Sequence, residues 1–195
     1  LQEVAKDAKT IIVGINSAGG SVFDGLAIRS ALENHPAHVI VRVEGWAASI
    51  ASIIAKAGDE IEMALGSMMM IHNPWTFSGG ESKELREVAD VLDQIRESLV
   101  DVYEARTKKS REEIIQMMDE ETWMTANEAV EKGFADRVEH TNLVNAFASA
   151  NGPIVNGVIM RAFKNAPPLT EQPINKGDED VKTVEEFKNQ YPELW

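Results

Sequence analysis

The sequence contains no cysteine, and this absence removes several classes of chemistry at once. Without a thiol the chain has no disulfide, no thiolate zinc site and no cysteine nucleophile, which suits a reducing compartment such as the cytoplasm. The sequence also lacks the ~18 to 20 consecutive apolar residues of a membrane span, and its first residues show no signal-peptide pattern. We expect a soluble, cytoplasmic protein with no cofactor and no metal centre.

Positive charge is scarce in this chain. Its 19 Lys and Arg residues are outnumbered by 32 Asp and Glu residues, which gives a formal net charge of -13. Nucleic acids and anionic membrane surfaces repel such a chain, because both are bound through clustered Lys and Arg side chains. We therefore expect neither nucleic acid nor a membrane among its partners.

The length of 195 residues and the apolar share of 44% fit one compact domain with appendages. We assign that domain to residues 1–140, and the opening LQEVAKDA is typical of the end of a helix whose earlier part has been trimmed. From residue 141 onward Asn, Pro, Gly and Ala dominate, so residues 141–195 are predicted to be a linker and a mobile tail. Its last stretch, VKTVEEFKNQYPELW, is predicted to be a docking helix or a solvated tail.

Short apolar runs alternate with helix-forming stretches over the first half of the chain. TIIVGINSAGG and HVIVRVEG are predicted strands, each followed by a helix, the first capped by Ser21 and the second closed by a left-handed Gly58. EIEMAL and SMMMIHNP are two further strand candidates. The alternation predicts an α/β fold with mostly parallel strands, whose C-terminal edges commonly carry the functional site.

The longest predicted helix begins at Ser82 and ends near Lys108. Its apolar residues are spaced alternately by three and four, and the stripe they form must be buried against something; they are Leu85, Val88, Leu92, Ile95, Leu99 and Val102. Periodicity alone favours packing of this helix on its own domain over a subunit interface. Two further helix starts, at Ser110 and Thr125, carry the capping-box pattern.

The stretch EGWAASIAS places Ser49 between an apolar strand and a helix of small residues. Serine is a preferred helix cap, and capping alone would explain its presence. The small residues around Ser49, however, leave the backbone accessible beside its hydroxyl, and a helix N-terminus offers unpaired N–H groups to a developing oxyanion. Ser49 is therefore a candidate nucleophile as well as a cap, and a nucleophilic serine requires a nearby base.

Four histidines could supply that base, and His72 is the strongest candidate. It follows the apolar run MMMI, so the strand would carry its imidazole to the edge of the sheet. His35, His38 and His140 are predicted to have solvated roles.

The glycine-rich NSAGGS loop lacks the lysine of a phosphate-binding loop. Its glycines could direct a backbone amide at an oxyanion or let a substrate backbone approach closely, and a plain tight turn is the alternative.

Taken in order, INSAGGSV, EGWAASIAS, MMMIHNP and ETWMTANEAVEKGFAD resemble the family of the Clp protease proteolytic subunit, ClpP, over residues 11–138. The resemblance implies a ClpP/crotonase-type fold with a repeated β-β-α core, in which the long helix is a handle between stacked homo-oligomeric rings. It also implies serine endopeptidase activity on a polypeptide substrate. The roles it implies are Ser49 as nucleophile, His72 as general base, and the amides of Gly20 and Ile50 as the oxyanion hole.

The sequence departs from the family pattern at two places. Ala18 stands where the glycine loop of the family has proline, which should loosen the turn without removing its amide. Glu121 stands where the family has the triad aspartate, with Asp119 nearby as a reserve. Since the third member of a triad only orients and stabilises the imidazolium, glutamate can serve, and the resemblance implies a triad of Ser49, His72 and Glu121.

Within the family, ETWMTANEAVEKGFAD and the tail ending VEEFKNQYPEL look most like the ClpP-like proteases of tailed phages and prophages. That likeness implies capsid or scaffold proteins as substrates, cleaved inside the procapsid. One alternative is a housekeeping ClpP-like subunit that works with an ATP-driven unfoldase. Another is an inactive ClpP-like assembly scaffold whose triad is spoiled by Glu121.

Two other enzyme classes share part of the pattern. A signal peptide peptidase of the A type uses a Ser-Lys pair and a membrane anchor. The presence of His72 and the lack of a predicted membrane span argue against this class. The lysine nearest to Ser49 in the motif, Lys56, is expected to be solvated. An acyl-CoA enzyme of the crotonase type shares the fold and the oxyanion hole, but it would not need a serine and a histidine in these loops.

Overall fold

The computed structural model describes residues 5–139. The linker, tail and docking helix predicted for residues 141–195 lie outside that range, and the domain boundary near residue 140 stays a prediction. Within the range the strands are β1 (Thr10–Ser17), β2 (His38–Ala48), β3 (Glu60–Ala64), β4 (Met68–Ile71), β5 (Thr122–Thr125) and β6 (Arg137–Glu139). The helices are α1 (Val22–Glu33), α2 (Ile50–Ala55), α3 (Ser82–Thr107), α4 (Arg111–Asp119) and α5 (Ala126–Glu131).

The six strands form one sheet in which β2 is the central strand. Residues 40–43 of β2 pair with β3 and residues 46–48 pair with β4, while β1 pairs along the opposite edge. These pairings and that of β3 with β6 are parallel, whereas β5 runs antiparallel to β4. The predicted α/β class with mostly parallel strands is confirmed. Because β1, β2 and β4 run the same way, their C-terminal ends meet at one edge of the sheet.

Helix α2 is short and almost fully buried. Four of its six residues are apolar and less than 9% exposed, and they pack in the main core with the buried valines of β2. Helix α1 approaches it so closely that a Cβ added to Gly25 would lie 2.2 Å from Cγ1 of Ile50. Small residues in both helices therefore fix the start of α2, directly after Ser49, against α1 and the sheet.

The predicted helix caps are confirmed at three positions. Ser21 accepts a hydrogen bond from the Asp24 N–H, and the capping boxes begin at Ser110 and Thr125 as expected. The prediction for Gly58 is wrong, since it is not among the residues with a positive φ. Glycine is required there by space instead, because a Cβ would lie 2.6 Å from the carbonyl oxygen of Glu60.

Two features of the described chain were not predicted, namely the strands β5 and β6 and the turn near its start. Strands β5 and β6 are only four and three residues long, too short to show a periodicity in the sequence. The opening stretch, where a helix end was expected, forms a turn in which the Ala8 N–H donates to the Ala5 carbonyl. No helix in the described part of the chain is both long and apolar enough to span a membrane.

The apolar stripe of α3 divides into two parts. Leu99 is 4% exposed and lies in the core, with Ile95 and Val102 packed against it. Leu85, near the start of the helix, is 43% exposed. The expectation that α3 packs on its own domain is therefore correct for its C-terminal half. The N-terminal half presents an apolar surface that is not packed into the described core, formed by Leu85, Val88 and Leu92.

Candidate active site

Ser49 lies in the turn between β2 and α2, where its backbone has φ 56° and ψ -131°. A positive φ is uncommon for a residue with a side chain, and such strain persists only where the surroundings enforce it. Here the Ser49 N–H donates to the carbonyl oxygen of Met70 in β4 at 2.9 Å. This sharp strand-to-helix turn resembles the strained turn that exposes the nucleophilic serine in α/β-hydrolases.

The Ser49 hydroxyl faces His72 and does not cap helix α2. Its Oγ lies 2.9 Å from His72 Nε2, and it makes no capping hydrogen bond although Ser49 occupies the N-cap position. The prediction that Ser49 also caps the helix is therefore wrong. The positive φ is the reason, because it turns the side chain away from the first turn of α2 and toward the end of β4.

His72 follows β4 directly and is half-buried. The pairing of Ala48 with Met70 sets the ends of β2 and β4 side by side, which brings the hydroxyl and the imidazole within hydrogen-bond distance. With Nε2 unprotonated, Ser49 donates and His72 accepts, which is the arrangement a general base needs.

The other histidines lie elsewhere. His38 is half-exposed between the carboxylates of Asp59 and Glu60, each 3.3 Å away. Nδ1 of His35 accepts the Ala37 N–H at 3.1 Å. His140 is outside the described residues, so His72 is the histidine that the described fold brings to Ser49.

Two acids approach the His72 segment in different ways. In the antiparallel pairing of β4 with β5, Ile71 lies opposite Thr122, and continuing the register by one residue sets His72 opposite Glu121. Glu121 is 7% exposed and has a φ of 51°. Asp119 instead accepts a hydrogen bond from the side-chain amide of Asn73 at 2.7 Å. The register thus favours Glu121 as the acid behind His72, and Asp119 holds the neighbouring residue.

The glycine loop lies directly against the Ser49 turn. Gly19 has a φ of 97°, and a Cβ on it would lie 2.8 Å from both the Ala48 carbonyl oxygen and Cβ of Ser49. It would also lie 3.3 Å from the Ile50 nitrogen. Gly20 has a φ of 152° and open space around it. Only glycine allows this approach, so the loop that carries Gly20 and the start of α2 lie side by side at the hydroxyl.

A cavity of about 520 Å³ opens beside these residues. Its lining joins the glycine loop and Ser49 to the segment after His72, which includes Trp75 and Phe77. The two aromatic rings meet edge to face with centroids 5.1 Å apart, and both side chains are largely exposed. Trp75 and Phe77 were not predicted to line the site, although the WTF triplet after the His-Asn-Pro segment was the available signal. The cavity therefore has a polar end at the hydroxyl and an aromatic end.

Lys56 is buried, which contradicts the expectation that it is solvated. It is 5% exposed, its Nζ donates to the carbonyl oxygen of Phe134, and Nζ lies 4.8 Å from the centroid of the Phe134 ring. Burial, assisted by the nearby charge of Arg106, lowers the pKa of Lys56 to about 7. Because Ser49 bonds His72 and Lys56 bonds Phe134, the geometry of a Ser-Lys pair is not formed.

The buried lysine predicts a pH dependence of stability. The unfolded state keeps the Lys56 proton up to about pH 10.5, whereas the folded state releases it above about 7. The unfolded state therefore binds more protons in that window. Raising the pH disfavours the state that binds more protons, so the free energy of unfolding rises with pH. We expect wild type to gain stability relative to Lys56→Met from pH 7 to pH 10, measured by urea unfolding.

The matched control for this experiment is Lys83→Met, since the Lys83 side chain is 86% exposed. The difference in unfolding free energy between that variant and wild type should stay constant over the same pH range. A constant difference for Lys56→Met as well would contradict the prediction.

Among residues 5–139, no group of three or more His, Asp and Glu side chains is arranged to hold a metal ion. The chemistry available at the described site is that of a serine, a histidine, a buried carboxylate and backbone amides.

The chain is similar to known proteins over the part that carries this site. The Clp protease family model matches residues 1–142. The "ATP-dependent Clp protease proteolytic subunit 3" of Rhodococcus jostii is 33% identical over 141 residues, which cover 71% of this chain and 69% of that protein. The "ATP-dependent Clp protease proteolytic subunit" of Pleurastrum terricola is 36% identical over 135 residues, 68% of each chain.

A third relative adds to this agreement. The "ATP-dependent Clp protease proteolytic subunit 1" of Protochlamydia amoebophila is 35% identical over 142 residues, 70% of this chain and 68% of that protein. The family match spans well over half of the chain and includes the Ser49 turn, the His72 strand and the Glu121 segment. The chain belongs to the Clp protease family.

Proposed function

We propose that this protein is a serine endopeptidase that cleaves peptide bonds through Ser49, His72 and Glu121. The observation that carries the proposal is the 2.9 Å contact between Ser49 Oγ and His72 Nε2 at a strained turn beside a cavity. Membership of the Clp protease family supports it.

In the proposed reaction, Ser49 Oγ attacks the carbonyl carbon of the scissile bond while His72 Nε2 takes the hydroxyl proton. The bond to the amine breaks when His72 returns that proton to the leaving nitrogen, and water then releases the acyl group by the same route. Glu121 orients the imidazole and stabilises the imidazolium. In both halves of the reaction, His72 Nε2 takes up the proton and later returns it.

The tetrahedral oxyanion is proposed to lie between the amides of Gly20 and Ile50. The close approach of Gly19 to the Ile50 nitrogen supports this placement, because it sets the glycine loop beside the start of α2. Fixed backbone donors of this kind act where negative charge develops and need no reorganisation during the reaction.

Labelling of the assembled protein with a fluorophosphonate probe tests the proposed activity. We expect one adduct per chain, located at Ser49 by peptide mapping. Lack of labelling under conditions where the protein is folded would overturn the proposal and favour the inactive assembly scaffold. The strained Ser49 turn favours the active enzyme, because such strain is retained mainly at functional sites.

For the biological setting, an ATP-driven partner has support from the relatives, which are named ATP-dependent proteolytic subunits. The phage role, with capsid or scaffold substrates inside a procapsid, has no support among these relatives and stays a prediction from the sequence. Two assays would separate the ATP-dependent role from the phage role. One measures degradation of an unfolded protein with and without a Clp ATPase, and the other measures cleavage of a purified capsid scaffold protein.

We also propose that the exposed apolar surface of α3 is covered by a second copy of the chain, as the handle between stacked rings. A glutamate at position 85 would place a charge in that contact without disturbing folding, because Leu85 is already 43% exposed within one chain. We expect Leu85→Glu to halve the mass of the assembly, measured by sedimentation velocity.

The control for this variant is Gln94→Glu, which adds the same charge about two and a half turns further along, on the opposite side of the helix. It should leave the sedimentation coefficient unchanged. An unchanged coefficient for Leu85→Glu too would show that this surface is not the ring contact.

A further inference from the structure

We propose that Trp123 is a positioning residue that holds the Glu121 carboxylate through its indole N–H. The indole Nε1 donates to Glu121 Oε1 at 3.2 Å. The inference rests on the proposed function, because it requires Glu121 to be the triad acid.

A glutamate in this position needs an additional constraint. Its side chain has one more rotatable bond than aspartate, so a carboxylate at its end can adopt more orientations. Glu121 also has a φ of 51° and is 7% exposed, so its backbone is strained and little water reaches it. A donor on one oxygen restricts the carboxylate plane and leaves the other oxygen to face the imidazole.

Trp123 is itself held by a second aromatic ring. Its ring stacks on that of Trp46 with centroids 6.0 Å apart and an angle of 15° between the planes. Trp46 is 8% exposed, and Trp123 lies opposite Met70 in the pairing of β4 with β5. The indole therefore cannot rotate away from Glu121 without breaking this stack.

Trp46, Ala48 and Met70 form a small buried cluster, and Trp123 packs against it. Met70 packs in it and accepts the N–H of Ser49 through its carbonyl oxygen. Ala18, from the loop that carries Gly20, packs against it as well. Trp123 thus packs against a cluster that also touches the nucleophile turn and the glycine loop.

The test is the variant Trp123→Phe, which keeps an aromatic ring in the stack and removes the N–H donor. Rates are measured with a short fluorogenic peptide and expressed per site titrated by the fluorophosphonate probe, so that misfolded chains are not counted. We expect kcat to fall about 5- to 20-fold with KM within about twofold of wild type, because orientation of the acid acts in the transition state.

The control Trp46→Phe shrinks the same stack but leaves the Trp123 N–H in place. It should lower the melting temperature by a similar amount while lowering kcat by less than about twofold. Equal losses of kcat in Trp46→Phe and Trp123→Phe would overturn the inference, since packing alone would then account for both.

A double-variant cycle separates this inference from the proposed function. If Trp123 acts through the carboxylate, Trp123→Phe should have no further effect on kcat in a Glu121→Ala background. If Glu121→Ala lowers kcat and Trp123→Phe does not, the positioning role is wrong and the triad stands. If Glu121→Ala keeps the full rate, Glu121 is not the acid, and both this inference and that part of the proposed function fail.

Discussion

Ser49→Ala is expected to lower kcat for peptide hydrolysis by about 10⁴-fold or more, because no other group can form the acyl intermediate. Phosphonylation by the probe should disappear completely. His72→Ala should be nearly as inactive, since the hydroxyl then has no base 2.9 Å away. Steady-state peptidase assays and intact-protein mass spectrometry measure both effects.

Ser52→Ala is the matched control, because Ser52 is the next serine in the same segment. Its buried hydroxyl donates to the Ser49 carbonyl and contacts the Tyr103 hydroxyl at 2.7 Å, so the variant should lose stability. Labelling of Ser49 should nevertheless persist. A Ser49→Ala protein that is still labelled with the stoichiometry of wild type would show that the nucleophile lies elsewhere.

Glu121→Gln is expected to lower kcat by about 10³- to 10⁴-fold, because a neutral amide neither stabilises the imidazolium nor selects the required tautomer of the imidazole. The amide oxygen can still accept the Trp123 N–H, so folding should be retained, as a melting curve can check. This makes the variant a test of charge with little change in shape.

Asp119→Asn is its counterpart and should cost only a few-fold in kcat. Its main described contact is with Asn73, next to His72, so it should act on the loop and not on the proton. A large loss in Asp119→Asn together with a full rate in Glu121→Gln would transfer the role to Asp119. Full rates in both would leave a serine-histidine pair with no acid.

Much of the fold could be predicted because it depends on local patterns. The alternation of apolar runs and helix formers located β1 to β4 and α1 to α3, and capping residues located the starts of α4 and α5. β5 and β6 could not be found in this way, since TWMT and RVE lack an unbroken apolar run like the MMMI of β4 and take their structure from pairing with β4 and β3.

The buried Lys56 illustrates the same limit for a single side chain. Nothing in ASIIAKAG distinguishes a solvated lysine from a buried one, because long basic side chains normally reach water. Its burial follows from α5 and the segment after it, which bring the Phe134 carbonyl and ring to Nζ from 78 residues away.

By itself the sequence determined the class of fold, and it singled out Ser49 and His72, at one edge of the sheet, as candidate site residues. Small residues, turn residues and strand ends are local features, so they can be recognised without a structure. Only the tertiary structure decided that Ser49 faces His72 and does not cap its helix, because that depends on a strained φ imposed by the bond to Met70. The resemblance to the family already preferred Glu121 to Asp119, and the tertiary structure added a physical reason for that preference. This reason is the register of β4 with β5, a pairing of strands about 50 residues apart that no local pattern encodes.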